Sequence, residues 1–149
     1  KETIEEENER LRKENLENYA TIEKRDFYKT NNKEQFDVVF TSCSLHYSVN
    51  KDFTLEEKTK MLQDIVKPNG LLYMDYMMAI DEDDYETYPS NKFYRKGEIK
   101  NYFDNNWEII SCRENEKPSF EGAHVDCVRD HFHRFGYVLA QKKSDQHVK

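Results

Sequence analysis

The densest group of side chains able to ligate a metal or exchange protons lies between residues 124 and 133: His124, Asp126, Asp130, His131 and His133. On an extended segment the i, i+2 spacing of His131 and His133 sends both imidazoles to one side, and His124 with Asp126 could complete a site for zinc or another divalent ion. The same residue types also serve as hydrogen-bonding loop formers. A second group follows the apolar run that starts at Phe36: Thr41, Ser42, Cys43 and Ser44, then His46 and Tyr47. An imidazole titrates near neutrality, so His46 could orient or deprotonate a nucleophilic substrate, or hydrogen-bond to backbone beside a helix. A third pair, Asp75 and Tyr76, falls toward the end of the apolar run Leu71 to Met78. Other chemistries find less support. Cys43, Cys112 and Cys127 are odd in number and show no C-x-x-C spacing, which favours reduced structural thiols over a disulfide scaffold or zinc knuckle. The four glycines, Gly70, Gly97, Gly122 and Gly136, form no Gly-x-Gly group that could cradle a phosphate. Asp81 to Asp84 lacks the glycine-containing spacing of an EF-hand loop.

These residues need elements to position them. Thr3-x-x-Glu6 is a capping box opening a helix over Thr3 to Asn18, supported by Glu6/Arg10 and Glu9/Lys13 pairs. Its apolar residues are only Ile4, Leu11, Leu16 and Tyr19, so it is expected to be peripheral. Ala20 to Asp26 has weak strand character and reads as an edge strand. Phe36 to Ser44 runs apolar without alternation, which predicts a strand buried on both faces. Thr54-x-x-Glu57 opens a second helix with Leu55, Met61, Leu62, Ile65 and Val66 on one face, stopped by a tight turn at Lys67-Pro68-Asn69-Gly70. Leu71 to Met78 is then a second buried strand, completing a βαβ unit with a parallel pair and a right-handed connection. Open α/β sheets bind ligands outside the carboxyl ends of their strands, which places Thr41 to Ser44 and Asp75 with Tyr76 on one side. Beyond them come an acidic loop or lid carrying Tyr85 and Tyr88, and a helix over Arg95 to Asn105 with Ile99, Tyr102 and Phe103 inward. Strands are expected at Trp107 to Cys112 and Phe135 to Ala140, with a polar stretch between them and a frayed tail over 143–149.

Length and composition bound the partners. A chain of 149 residues with 10 Tyr and 9 Phe has room and material for one globular domain. Its 23 basic against 30 acidic side chains, a net charge of -7, argue against nucleic acid. No apolar run is long enough to span a bilayer and Lys1 to Glu9 is not signal-like, so a cytoplasmic protein without membrane attachment is expected. A first residue of lysine, with no initiator methionine, suggests a fragment.

Phe36-Asp37-Val38-Val39-Phe40-Thr41-Ser42-Cys43-Ser44-Leu45-His46-Tyr47 resembles the fourth strand, and following turn, of class I S-adenosylmethionine-dependent methyltransferases. Leu62-x-x-Ile65-Val66-Lys67-Pro68-Asn69-Gly70-Leu71-Leu72 resembles that family's entry to its fifth strand. Asp126-x-x-x-Asp130-His131-x-His133-x-Phe135-Gly136-Tyr137 is similar to the small-molecule branch of tellurite-resistance and thiopurine methyltransferases. The resemblance covers roughly residues 4 to 142 and implies a Rossmann-like α/β sheet, mostly parallel with an antiparallel C-terminal strand, lacking its N-terminal part. It implies S-adenosylmethionine as cofactor, a small-molecule acceptor, and Asp26 with Phe27 as the acid and apolar cover for adenine. It implies that Thr41, Ser42, Cys43 and Ser44 line the methionyl part, that His46 and Tyr47 position substrate, and that Asp75, Tyr76, His124, Asp126, His131 and His133 wall the substrate pocket, with no resident metal. The family's glycine-rich turn is absent from this chain. In the family's strand order the missing strands lie beside the fourth, so either the Ala20 to Asp26 strand or a second copy pairs along the open apolar edge Phe36 to Thr41, or, as favoured here, the missing N-terminal part belongs to the natural protein. Two rival readings stand beside methyl transfer: a catalytically inactive interaction module or fragment, and a metal-binding protein using the histidine-rich loop.

Overall fold

A reciprocal cap starts the first helix, α1 (Ile4–Lys13): the Glu6 N–H donates to Thr3 Oγ1 at 3.2 Å, and the Thr3 N–H donates to Glu6 Oε2 at 2.7 Å. That backbone bond holds the Glu6 carboxyl below the usual carboxylate range. The helix is shorter than its sequence suggests because Asn15 enters the left-handed region at φ 58°. None of its residues is buried, in keeping with its thin apolar content. The computed structural model describes residues 3–25, 27–29, 33–42, 44–45, 53–81, 93–123 and 129–144. It divides into an N-terminal unit, Lys1–Asn31, and a larger unit, Asn32–Lys149. In the first, the edge strand expected over Ala20 to Asp26 does not form among the described residues. The Asn8 side-chain amide takes the place of a strand partner, donating to the Ile22 carbonyl at 2.8 Å and accepting from the Ile22 N–H at 3.1 Å.

The larger unit is built on a sheet of β1 (Phe36–Thr41), β2 (Val66–Met78), β3 (Trp107–Glu114), β4 (Ser119–Glu121) and β5 (His131–Lys142), with α2 (Leu55–Asp64) between the first two. The order is β1-β2-β5-β3, with β4 paired to β5. β1 and β2 are parallel, and β5 is antiparallel to both β2 and β3. Thus β1, β2 and β3 point one way and the last strand opposes them, the α/β arrangement expected.

Period-2 alternation puts Val39, Leu72, Met74, Tyr76, Met78, Val138 and Ala140 on one face, and all are buried. Tyr76 there meets the Tyr94 ring at 4.9 Å, and the Tyr94 hydroxyl is 3.0 Å from that of Thr59 on α2. The opposite face carries Phe40, Tyr73 and Tyr137, stacked across three strands with centroids at 5.0 and 6.0 Å. The expectation that the first strand of the pair is buried on both faces is corrected: Phe36, Val38 and Phe40 are 45%, 60% and 68% exposed. The cause is topological. By alternation these three share the face opposite Val39, and β1 is an edge strand whose one strand neighbour among the described residues is β2, so its apolar run is covered on one face only.

Three further differences have physical causes. The tight turn at Lys67 to Gly70 lies inside β2 as a bulge: Phe36 pairs with Val66 but Val38 with Leu71, and Asn69 takes φ 64°. Gly70 is required there, since a Cβ would lie 2.8 Å from Val66 Cγ1 and 2.9 Å from the Asp37 carbonyl. The buried face of α2 consists of Leu55, Lys58, Thr59, Leu62 and Gln63, while Met61 is only half-buried and Val66 belongs to β2. The helix expected over Arg95 to Asn105 contracts to a 3₁₀ helix, Glu98–Tyr102, behind Gly97 at φ 79°; Ile99 is fully buried as anticipated. Among the described residues no helix is long and apolar enough to cross a membrane.

Candidate functional site

Because β1 and β2 are parallel, their carboxyl ends open on the same side of the sheet, and the small polar residues after Phe40 meet β2 there. Thr41 pairs in register with Met74, the residue before Asp75. Ser42 Oγ donates to Asp75 Oδ2 at 2.7 Å, and the Thr41 and Ser44 hydroxyls are hydrogen-bonded to each other. Four of the residues singled out from sequence, Thr41, Ser42, Ser44 and Asp75, therefore form one polar mouth. Asp75 is half-buried, and by alternation it shares its face with the Phe40, Tyr73 and Tyr137 stack. A carboxylate has about four acceptor positions, one of which takes the bond from Ser42, and its chemistry suits an ammonium or hydroxyl donor.

Tyr76 is not part of that mouth. It points to the opposite face and is 1% exposed, with its hydroxyl donating to Glu114 Oε1 at 3.1 Å. Burial, with Cys112 and Glu114 adding to it, pushes this phenol well above its usual range. Glu114 also accepts the Gly97 N–H at 2.9 and 3.0 Å, tying β3 to the start of the 3₁₀ helix. His131 and His133 lie at the beginning of β5, beside β4. Phe27 opens a 3₁₀ helix, Phe27–Lys29, in the N-terminal unit. Asp26, Cys43, His46, Tyr47, His124 and Asp126, together with the lid tyrosines Tyr85 and Tyr88, lie outside the described residues.

Lys58 was not singled out by its sequence and supports the mouth from below. Its side chain is 1% exposed, and Nζ donates at 3.1 Å to the carbonyl of Leu45, one residue beyond Ser44. Burial lowers the pKa of the ammonium from its ordinary value. The available signal was positional: Lys58 is three residues after Leu55, on the inward stripe of a capped helix. Glu121 was missed as well, although Ser119-x-Glu121 can alternate as a strand against His131-x-His133.

The fold is that of class I methyltransferase structures. TehB from Haemophilus influenzae is 20% identical, with a TM-score of 0.61 over 91% of this chain and 45% of that one. A geranyl diphosphate methyltransferase solved in complex with SAM is 10% identical, with a TM-score of 0.62 over 93% and 64%. The cyclase SpnF is 10% identical, with a TM-score of 0.63 over 95% and 62%. A profile of the methyltransferase-domain family matches residues 1–140, and the chain belongs to that family. No curated protein sequence matches it. The chain spans between 45% and 64% of the length of the three structures compared. The presence of a cyclase beside methyltransferases shows that this fold carries more than one reaction.

Proposed function

We propose that this chain contributes to S-adenosylmethionine-dependent methyl transfer onto a small-molecule acceptor. The observation that carries the reading is the Ser42–Asp75 hydrogen bond at the carboxyl ends of the parallel pair, where sheets of this kind receive ligands. When bound, S-adenosylmethionine supplies an electrophilic methyl group on a cationic sulfonium. The donor set suits the amino-acid end of such a molecule: the Asp75 carboxylate accepts from an ammonium, and the Thr41, Ser42 and Ser44 hydroxyls both donate and accept. The chain's own contribution is orientation. Lys58 anchors the Leu45 carbonyl and so holds the segment that carries Ser42 and Ser44. Methyl transfer to a soft nucleophile needs in-line positioning more than a strong base, and a site of hydroxyls and one carboxylate answers that need. The geranyl diphosphate methyltransferase among the similar structures acts on a small acceptor, which supports a small acceptor here.

Isothermal titration of S-adenosylhomocysteine into the chain tests the reading. Saturable binding, weakened about tenfold or more in Asp75→Asn through loss of a charge-assisted hydrogen bond, is expected. Absence of binding, or undiminished binding in the variant, would overturn the role given to this mouth.

A further inference from the structure

The β4–β5 hairpin gathers three ligand-bearing side chains that form no part of the polar mouth around Ser42 and Asp75. Glu121 on β4 pairs directly opposite His131 on β5, and Ser119 opposite His133. Alternation therefore puts Glu121, His131 and His133 on one face, while Phe120 and Phe132 project from the other and meet edge-to-face at 5.6 Å. His133 Nε2 lies 2.9 Å from Glu121 Oε2, and His131 Nε2 lies 3.8 Å from the same oxygen. One ligand atom from each of the three residues falls within 4.8 Å of the others. The imidazoles are 19% and 21% exposed, stacked edge-to-face with centroids at 4.5 Å.

We propose that Glu121, His131 and His133 form a divalent-metal site of N₂O donors, suited to Zn²⁺. The orientation of His131 supports this. Its Nδ1 lies 2.8 Å from the Arg129 carbonyl, an acceptor, so Nδ1 donates there and Nε2 is turned toward the Glu121 carboxylate. A carbonyl behind the ligating ring is also the usual second partner of a metal-bound histidine, fixing its tautomer and direction. Tetrahedral Zn²⁺ with bonds of about 2.0–2.1 Å sets its ligand atoms about 3.3–3.4 Å apart, between the 2.9 and 3.8 Å separations of the two imidazoles from Glu121 Oε2. Holding two ligands on one strand and the third directly across a short hairpin limits the conformational cost of closing the site. Three protein ligands leave a fourth position for water or a bound anion.

The test is titration of ZnCl₂ into the untagged chain, followed by calorimetry, with CoCl₂ as a spectroscopic probe. One Zn²⁺ per chain and a visible d–d band of low-symmetry Co²⁺ are expected. His131→Ala and His133→Ala should each weaken binding at least about tenfold, and Glu121→Gln, which keeps the shape of the side chain, should do the same. No saturable binding, or binding that all three variants retain at full strength, overturns the proposal. Zinc-edge X-ray absorption on the unsubstituted chain gives a readout independent of variant folding. Scattering from two imidazoles supports the site, and its absence overturns it.

Discussion

Gly136→Ala on β5 tests the packing that separates the polar mouth from the core. A Cβ built on Gly136 falls 2.5 Å from Tyr76 Cζ, 2.6 Å from Cε2 and 2.7 Å from the hydroxyl oxygen. Carbon atoms prefer separations of about 3.5–4.0 Å, so the ring would have to retreat by about 1 Å. It has no room to do so: Tyr76 is 1% exposed, lies against Tyr94, and is tethered to Glu114 through its hydroxyl. Overpacking of this kind costs about 1–3 kcal/mol. Stretching the bond to Glu114 adds about 1.5–3 kcal/mol if it breaks, and the smaller backbone entropy of alanine returns about 0.5–1 kcal/mol. The net expectation is destabilisation by about 2–4 kcal/mol. Urea unfolding followed by far-UV circular dichroism measures it; with a slope of about 1–3 kcal/mol per molar, the midpoint should fall by about 1–2 M. Attribution to this contact is checked in a Tyr76→Leu background, where the same glycine substitution should cost less by at least about 1 kcal/mol. A Gly136→Ala midpoint within about 0.2 M of the unsubstituted chain, or equal costs in both backgrounds, refutes the reasoning.

Thr54→Ala removes the acceptor that the Glu57 N–H uses at 3.1 Å and should destabilise the larger unit by about 1 kcal/mol, measured by the same denaturation. Lys58→Met gives a pH-dependent result. Burial lowers the Lys58 pKa below its ordinary 10.5, so between the folded and unfolded values the unfolded chain binds more protons and the lysine protein gains stability as pH rises. The stability difference between the lysine and methionine proteins should therefore move in favour of lysine as pH approaches 10.5; a difference independent of pH would show that burial does not penalise this ammonium.

What could be read from sequence was what local chemistry determines. Both Thr-x-x-Glu boxes start helices where expected, because a cap is a four-residue hydrogen-bond pattern that needs no tertiary partner. The parallel pair β1 and β2 and the common side of Ser42 and Asp75 followed from strand runs and from ligand placement at strand ends, and the antiparallel β5 from the family resemblance. Burial was less legible where long-range partners decide it. Lys58, Thr59 and Gln63 resemble solvent-facing residues, yet each is buried by a bond to a carbonyl: Leu45 at 3.1 Å, Leu55 at 2.7 Å and Tyr102 at 2.9 Å. Phe36, Val38 and Phe40 resemble core residues but lie on an edge strand. Glu121 gained significance only through its position opposite His131 across the hairpin.

The position of β5 also has a consequence for how the chain is made. Of the described strands the one latest in sequence is a central one: β5 is bonded to β2 on one side and β3 on the other. Until residues 131–142 emerge, β3 has no sheet to join and β2 presents an unpaired apolar flank. Assembly of the larger unit must therefore wait for residues 131–142, and a nascent chain stalled before His131 is a natural client for chaperones that shield strand edges.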